Sequence, residues 1–312
     1  MIHPPSNLIA IESLTIVGVG LLGGSVALAA KQRGLVQRVI GVGRSAARLE
    51  PARAAGLIDD FSTDLGQAAN QSDLLIFATP VNLIAPGVRE AAAACRPGTL
   101  ITDVGSTKGH LCRELAVELP DRVTFVGSHP LAGSEKQGWE YSRADLFAGR
   151  VCVVTPTESS PREAVERLTA FWQAIGMSVI EMTPEAHDHA LAQTSHVPHV
   201  VASALARTLA DENRSLAATG FADTTRIAAG DPQVWVPILM NNRDAVLARL
   251  GEFSSQIAAF REALARRDES ELRRLWERGQ TIREQLHVPN SQPKSQPGSG
   301  TSEFGIGRSA NS

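Results

Sequence analysis

Several separated runs of the 312-residue chain concentrate side chains that move protons or bind carboxylates. The first is Thr102-Asp103-Val104-Gly105-Ser106-Thr107-Lys108-Gly109, where the Ser106 hydroxyl can hydrogen-bond a reacting oxygen; capping a helix N-terminus is an equal reading of an isolated serine. The second is Gly127-Ser128-His129-Pro130-Leu131-Ala132-Gly133-Ser134-Glu135. An ordinary imidazole titrates near pH 6.5, so His129 can accept a hydroxyl proton at neutral pH. The Pro/Gly-rich frame around it argues against a merely capped or core histidine. Ser134 and Glu135 close this run and join the expected substrate contacts.

The third run holds His187-Asp188-His189 and then Ser195-His196-Val197-Pro198-His199. Five of the eight histidines fall between positions 129 and 199. His196 and His199 share a helical face, a spacing that also suits a metal ion. No further Cys or acidic ligand recurs at a matching distance, so no metal is expected, and polar contacts from Ser195, His196 and His199 to a carboxylated substrate account better for the cluster. Downstream, Gly220-Phe221-Ala222-Asp223-Thr224-Thr225-Arg226-Ile227-Ala228 sets a guanidinium in a short apolar surrounding suited to bidentate carboxylate binding; a structural Asp223–Arg226 pair is the alternative.

These groups need a scaffold, and its first element names a ligand. Leu14-Thr15-Ile16-Val17-Gly18-Val19-Gly20-Leu21-Leu22-Gly23 is G-x-G-x-x-G directly after a predicted strand and at the mouth of a helix. Gly18 permits the tight turn, Gly20 lets backbone approach a pyrophosphate and Gly23 lets the helix pack on the strand, while free N–H groups at the helix start favour the anion. Dinucleotide binding follows. Where NAD-binding versions usually carry an acid for the ribose, this chain has Arg44 and Ser45, with no acid until Glu50. NADP is therefore favoured over NAD, which stays possible because Arg44 can also stack on adenine or remain solvated. Thr79, Pro80 and Asp103, at the ends of later strands, complete the expected cofactor contacts.

Short apolar runs alternate with Ala-rich segments of helical length from Leu14 to about Thr183, the pattern of β-α-β units around a parallel sheet. Strands are predicted at Leu14–Val19, Val39–Val42, Leu74–Ala78, Leu100–Asp103, Thr124–Val126, Val151–Thr155 and Ser178–Glu181. After Pro184 helical spacing takes over; Leu239, Ala245, Leu247, Leu250, Phe253, Ile257 and Phe260 predict one long amphipathic helix. The fold class is therefore an α/β Rossmann-type dinucleotide-binding domain at 11–183, followed by an all-α helical domain at 184–288 that, by analogy with other two-part dinucleotide enzymes, is expected to serve dimerisation and to complete the substrate site. Residues 289–312 are Ser/Pro/Gly/Gln-rich and predict a disordered tail.

Composition narrows the partners. A net charge of −3, with no basic stripe interleaved with aromatics, speaks against nucleic acid. Three separated cysteines, Cys95, Cys112 and Cys152, show no zinc or redox spacing and fit a reducing compartment. No apolar run is long enough to span a membrane and no signal peptide opens the chain, so a cytoplasmic protein is expected.

Taken in order along one chain, the runs 103–108, 128–135, 195–199 and 223–228 resemble the prephenate/arogenate dehydrogenase family of tyrosine biosynthesis. The resemblance implies oxidative decarboxylation of prephenate to 4-hydroxyphenylpyruvate, or of arogenate to tyrosine, with hydride passing to NAD(P)+. By the same resemblance His129 accepts the ring hydroxyl proton, Ser106 binds the hydroxyl and orients His129, Arg226 holds a substrate carboxylate, and His199 with Ser195 and His196 contacts substrate from the helical domain. A homodimer through that domain is implied too. Pro237 departs from the pattern by interrupting the helix turn that carries Trp235, so the tryptophan carries over only weakly. Two rivals are another two-domain 3-hydroxyacid-type dehydrogenase and a non-catalytic NADP-sensing protein; the first usually needs a helical-domain lysine, and the only lysine after residue 136 is Lys294.

Overall fold

The computed structural model describes residues 11–116, 119–134 and 136–286. The tail expected at 289–312 and the candidate Glu135 lie outside them.

Strand β1 (Ile11–Val17) ends at Gly18, whose φ of +99° turns the chain into helix α1 (Leu21–Gln32). Then come β2 (Val36–Val42), α2 (Ala46–Ala54), β3 (Asp60–Ser62), α3 (Leu65–Ala69), β4 (Leu74–Phe77), α4 (Ile84–Ala94), β5 (Thr99–Asp103), α5 (Gly109–Leu115) and β6 (Val123–Phe125). Strands β1 to β6 form a parallel sheet in the order β3-β2-β1-β4-β5-β6. That order puts the reversal of strand order between β1 and β4, so the loops after Val17 and Phe77 open a crevice at the carboxyl edge, where dinucleotides bind in such sheets.

Two differences from the expected sheet follow. Strand β3 has no apolar run to announce it. The strands β7 (Gly127–Pro130), β8 (Val151–Thr155) and β9 (Ser178–Glu181), with α6 (Arg162–Ala174) between β8 and β9, do not extend the parallel sheet but form a second one, with β7 antiparallel to β8. Only Val126 separates β6 from β7, and a parallel neighbour needs a long crossover, so the chain must leave the first sheet at that point. His129 thereby sits inside a strand, paired with Val153, and not in the loop after one; Pro130 is tolerated because β7 is an edge.

Apolar side chains cover both faces of the main sheet. One face packs Leu14, Ile16, Leu74, Ile76 and Leu100 against α1 and the α6 residues Leu168, Phe171 and Trp172; the other packs Val17, Leu75, Phe77 and Ile101 against α4 and α5.

The second half is helical: α7 (Pro184–Leu191), α8 (Val197–Ala206), α9 (Thr219–Thr225), α10 (Pro232–Asn241), α11 (Arg243–Arg266) and α12 (Glu269–Gln285). Residues Ala192–His196 form a π-turn between α7 and α8. Pro198, which lacks an N–H and crowds the preceding turn, accounts for that widened register. The single long helix expected from Leu239 onward is split at Asn242, whose side chain is drawn inward to Asp188 and His196. Pro237 lies within α10 without ending it, so Trp235 is held on a continuous helix. The core of this half is thin: Ala192, Val197, Ala245 and Val246 form its buried cluster, while Ile238 of α10 is buried against the sheet side.

Candidate active site

The crevice over β1 and β4 is shaped for a dinucleotide. At Gly18 a Cβ would lie 2.8 Å from the Ala78 carbonyl, and at Gly23 it would lie 2.3 Å from the Gly18 carbonyl, so both positions require glycine. A Cβ at Gly20 would meet open space, which leaves its backbone approachable. Leu21 and Leu22 begin α1, half-buried, and Leu22 packs on the core. The Thr79 Oγ1 is buried just past β4 without a hydrogen-bond partner, while Pro80 is exposed beside it. Arg44 is exposed just past β2, and Ser45 stands at the start of α2 with its side chain unused for capping. An unpartnered hydroxyl, a free helix N-terminus and an exposed guanidinium fit the phosphates and riboses of NAD(P).

Asp103 does not join them. Its side chain has 0% exposure; Oδ2 accepts from Lys108 Nζ at 2.5 Å and Gly105 N at 2.8 Å, and Oδ1 accepts from Ser128 N at 3.2 Å. Both carboxylate oxygens are engaged by protein donors, so the buried Asp103 side chain shapes the loop and is not presented to the crevice. Burial pushes its carboxyl up, and Lys108 with the N–H donors offsets only part of that. Lys108, equally buried, donates also to the Gly105 and Thr107 carbonyls. Within residues 101–109 only Ser106 keeps partial exposure. It lies ahead of the Lys108 position that begins α5, so it is not the helix cap; the Asp188 carboxylate on α7 takes that place, accepting from Lys108 N and Gly109 N at 2.8 Å each.

The same network seats His129. Ser128 Oγ donates to the Asp103 carbonyl at 2.7 Å and accepts from Trp172 Nε1 at 3.1 Å, which fastens β7 to the end of β5. His129 is 9% exposed, and its Nδ1 lies 2.9 Å from His187 Nε2. His187 Nδ1 in turn lies 2.8 Å from Asp188 Oδ1. His129 Nδ1 thus meets His187; no hydrogen bond joins His129 to Ser106, to which the resemblance gave the task of orienting it, among the described residues. Burial, then the neighbouring His187, Lys108 and His196, drives the His129 pKa well below 6.5, so the ring is neutral at physiological pH.

From the helical half come His196, His199, Arg226 and Trp235. His196 takes an Asn242 Nδ2 proton on Nδ1 at 3.1 Å, lies close to the Ser106 backbone, and keeps Nε2 buried without a hydrogen-bond partner. His199 donates from Nδ1 to the Ser195 carbonyl at 2.9 Å and stacks on Trp235 with ring centres 3.5 Å apart. The indole has room because Gly230 lacks a Cβ, which would sit 2.4 Å from its Nε1. Burial lowers the His199 pKa, and the nearby Arg226 charge lowers it further. Arg226 is exposed, and no ion pair with Asp223 holds it among the described residues. Ser195 contributes its carbonyl. Ser134 is not brought in: it is exposed, and its Oγ accepts from Lys136 N. Nearby, Gln137 donates to Asp231 at 2.7 Å and ties the loop after β7 to the start of α10. No three His, Cys, Asp or Glu side chains among the described residues converge as a metal site requires.

A Rossmann-type sheet, a buried neutral histidine on the small sheet beside it, and further histidines and an arginine from a helical second half define a two-part NAD(P)-dependent oxidoreductase. The chain belongs to the prephenate dehydrogenase family: the model of that family's nucleotide-binding domain matches residues 26–181 and the model of its dimerization domain matches residues 183–278. It is 34% identical to prephenate dehydrogenase of Bacillus subtilis (strain 168) over 88% of this chain and 76% of that one. With cyclohexadienyl dehydrogenase of Zymomonas mobilis it shares 33% identity over 82% of this chain and 90% of the other. The solved prephenate dehydrogenase from A. aeolicus in complex with hydroxyphenyl propionate and NAD+ superposes with a TM-score of 0.84 at 30% identity, covering 88% of this chain and 98% of that one.

The buried histidines make stability depend on pH. Burial, partly opposed by Asp188, brings the His196 pKa down to about 4, whereas the unfolded side chain titrates near 6.5. Between these values the unfolded state binds more protons, so stability falls as pH falls. His196 alone should remove about 2 kcal/mol by pH 5. Urea unfolding of the wild type and His196→Asn at pH 7.5 and 5 checks this; an equal pH dependence in both would refute it.

Proposed function

We propose that the chain catalyses the oxidative decarboxylation of prephenate or arogenate, a step of tyrosine biosynthesis, and that NADP+ is the preferred oxidant. The observation that carries this reading is the neutral, buried His129 in the electrostatic reach of His196, which itself lies close to the backbone of the partly exposed Ser106, while His199 of the same helical half lies near Arg226. Bound NAD(P)+ supplies the hydride acceptor. His129 takes the ring hydroxyl proton, which raises electron density at the carbinol carbon. Ser106 hydrogen-bonds that oxygen. Arg226 pairs with a carboxylate, and His199, braced flat on Trp235, limits where the substrate can lie. Arg44, with no acid beside it before Glu50, meets a 2′-phosphate.

The helical half supports a homodimer. Leu247, Phe253, Ile257, Leu264, Trp276 and Ile282 expose apolar surface on α11 and α12, with Trp276 at 72% exposure. Such a surface fits a partner better than water.

Absorbance at 340 nm with each substrate and each cofactor tests the reading directly. Reduction with prephenate or arogenate is expected, and no reduction in all four mixtures overturns it. His129→Asn should bind cofactor normally while turnover drops about 10²- to 10⁴-fold; unchanged turnover removes His129 from the chemistry. Arg44→Asp should shift preference from NADP toward NAD, and an unaltered ratio of kcat/KM refutes the 2′-phosphate contact. Light scattering should give twice the mass of one chain, whereas a single-chain mass at micromolar concentration argues against the dimer.

A further inference from the structure

The protonation of His129 is decided by two residues that sequence reasoning left without a task. Asp188 is a carboxylate: backbone N–H groups of Lys108 and Gly109 point at it from 2.8 Å, and its pKa is lowered because the hydrogen bonds from His187, Lys108 and Gly109 outweigh the opposing effect of burial. A carboxylate offers only lone pairs. His187 Nδ1, 2.8 Å from Asp188 Oδ1, must therefore carry the proton of that contact. His187 has 0% exposure, and burial keeps it neutral, so its Nε2 holds a lone pair. Two lone pairs cannot face each other at 2.9 Å, and His129 Nδ1 must be the donor there. Nε2 of His129 is left unprotonated, and among the described residues no protein group takes it.

We propose that His187 and Asp188 are positioning residues that lock His129 in the Nδ1–H tautomer, presenting the Nε2 lone pair to the substrate hydroxyl. The proposal rests on the reading of His129 as base. When the O–H bond breaks and its proton joins Nε2, the imidazolium keeps its Nδ1–H bond to His187 and its charge is stabilised through His187 by Asp188; no proton leaves the relay. The three residues come from different places, His129 from β7 and the pair from α7, the first helix of the other half. Asn242 at the α10–α11 break fixes the pair by donating to the Asp188 carbonyl at 2.7 Å. The competent tautomer thus exists only when the two halves are docked.

The test uses full-length protein labelled with 15N-histidine, without substrate, and long-range 1H–15N correlation at pH 7.5, with the His129 signals assigned by their loss in His129→Asn. The wild type should show His129 protonated at Nδ1. His187→Leu should lose that preference, and His187→Gln should keep it, since a glutamine oxygen can accept from His129 while its amide donates to Asp188. In turnover, His187→Leu should drop kcat about 10²-fold with KM and cofactor Kd within about threefold, and His187→Gln should recover to within about tenfold of wild type. A wild-type His129 protonated at Nε2, a tautomer unmoved in His187→Leu, or a glutamine variant as slow as the leucine variant overturns the proposal. Because the tautomer is read without turnover, a wrong substrate assignment leaves this result standing, and a failed tautomer leaves the oxidation of prephenate or arogenate intact.

Discussion

The buried contact between Lys108 and Asp103 is the constraint on which the rest of the site depends. Neither side chain reaches solvent, and Lys108 spends its three donors on Asp103 and two carbonyls of its own loop. Taking charge out of water is unfavourable, and removing one partner of such a pair typically costs about 3–5 kcal/mol because the other is stranded. The pair is held by geometry on both sides: Asp103 also receives the Gly105 and Ser128 N–H groups, so the loop after β5 and the start of β7 share one anchor. From that anchor Ser106 is turned outward and His129 inward. The chemistry at the surface of the crevice is set by an interaction that no substrate touches.

The helical half completes the site with little core of its own. Its buried cluster is four small or branched residues, and α10 instead lends Ile238 to the sheet side. Polar contacts do the joining: Asp188 caps α5 across the junction and Gln137 reaches Asp231, while Asn242 braces Asp188 against His196 within the helical half. Asp188, which makes the seam bond to α5, also holds His187 against His129. Loosening the seam therefore disorders the base and its surroundings together.

What was legible in the sequence is what short-range rules govern. Gly18, Gly20 and Gly23 declare themselves because a tight strand-to-helix turn demands them at that spacing, and His129, His199 and Arg226 sit in local frames unusual enough to mark them. Asp103 misled because position at a strand end says nothing about which way a carboxylate points; a lysine five residues on, fully buried, reclaimed it. His187 was visible only as a member of a cluster, since its partner lies 58 residues away and only the docking of α7 on β7 brings them together. The helix break at Asn242 was hidden for the same reason: the apolar spacing continues through it, and the pull comes from Asp188, 54 residues earlier. Strand β7, with a proline and no apolar alternation, has no periodic signal and forms because β8 lies beside it.

The capping of α5 by Asp188 also bears on how such chains can be recombined. A helix normally finds its cap in the residues just before it, so an exchanged segment carries its own start signal. Here the start signal of a helix in the nucleotide-binding half is encoded some 80 residues downstream, on the first helix of the other half. A chimaera joined at the apparent border near residue 183 would separate α5 from its cap and His129 from His187 in one cut. The units that can be inherited together are not the two visible halves but the loop 103–109, β7 and α7, a module discontinuous in sequence and continuous only in space.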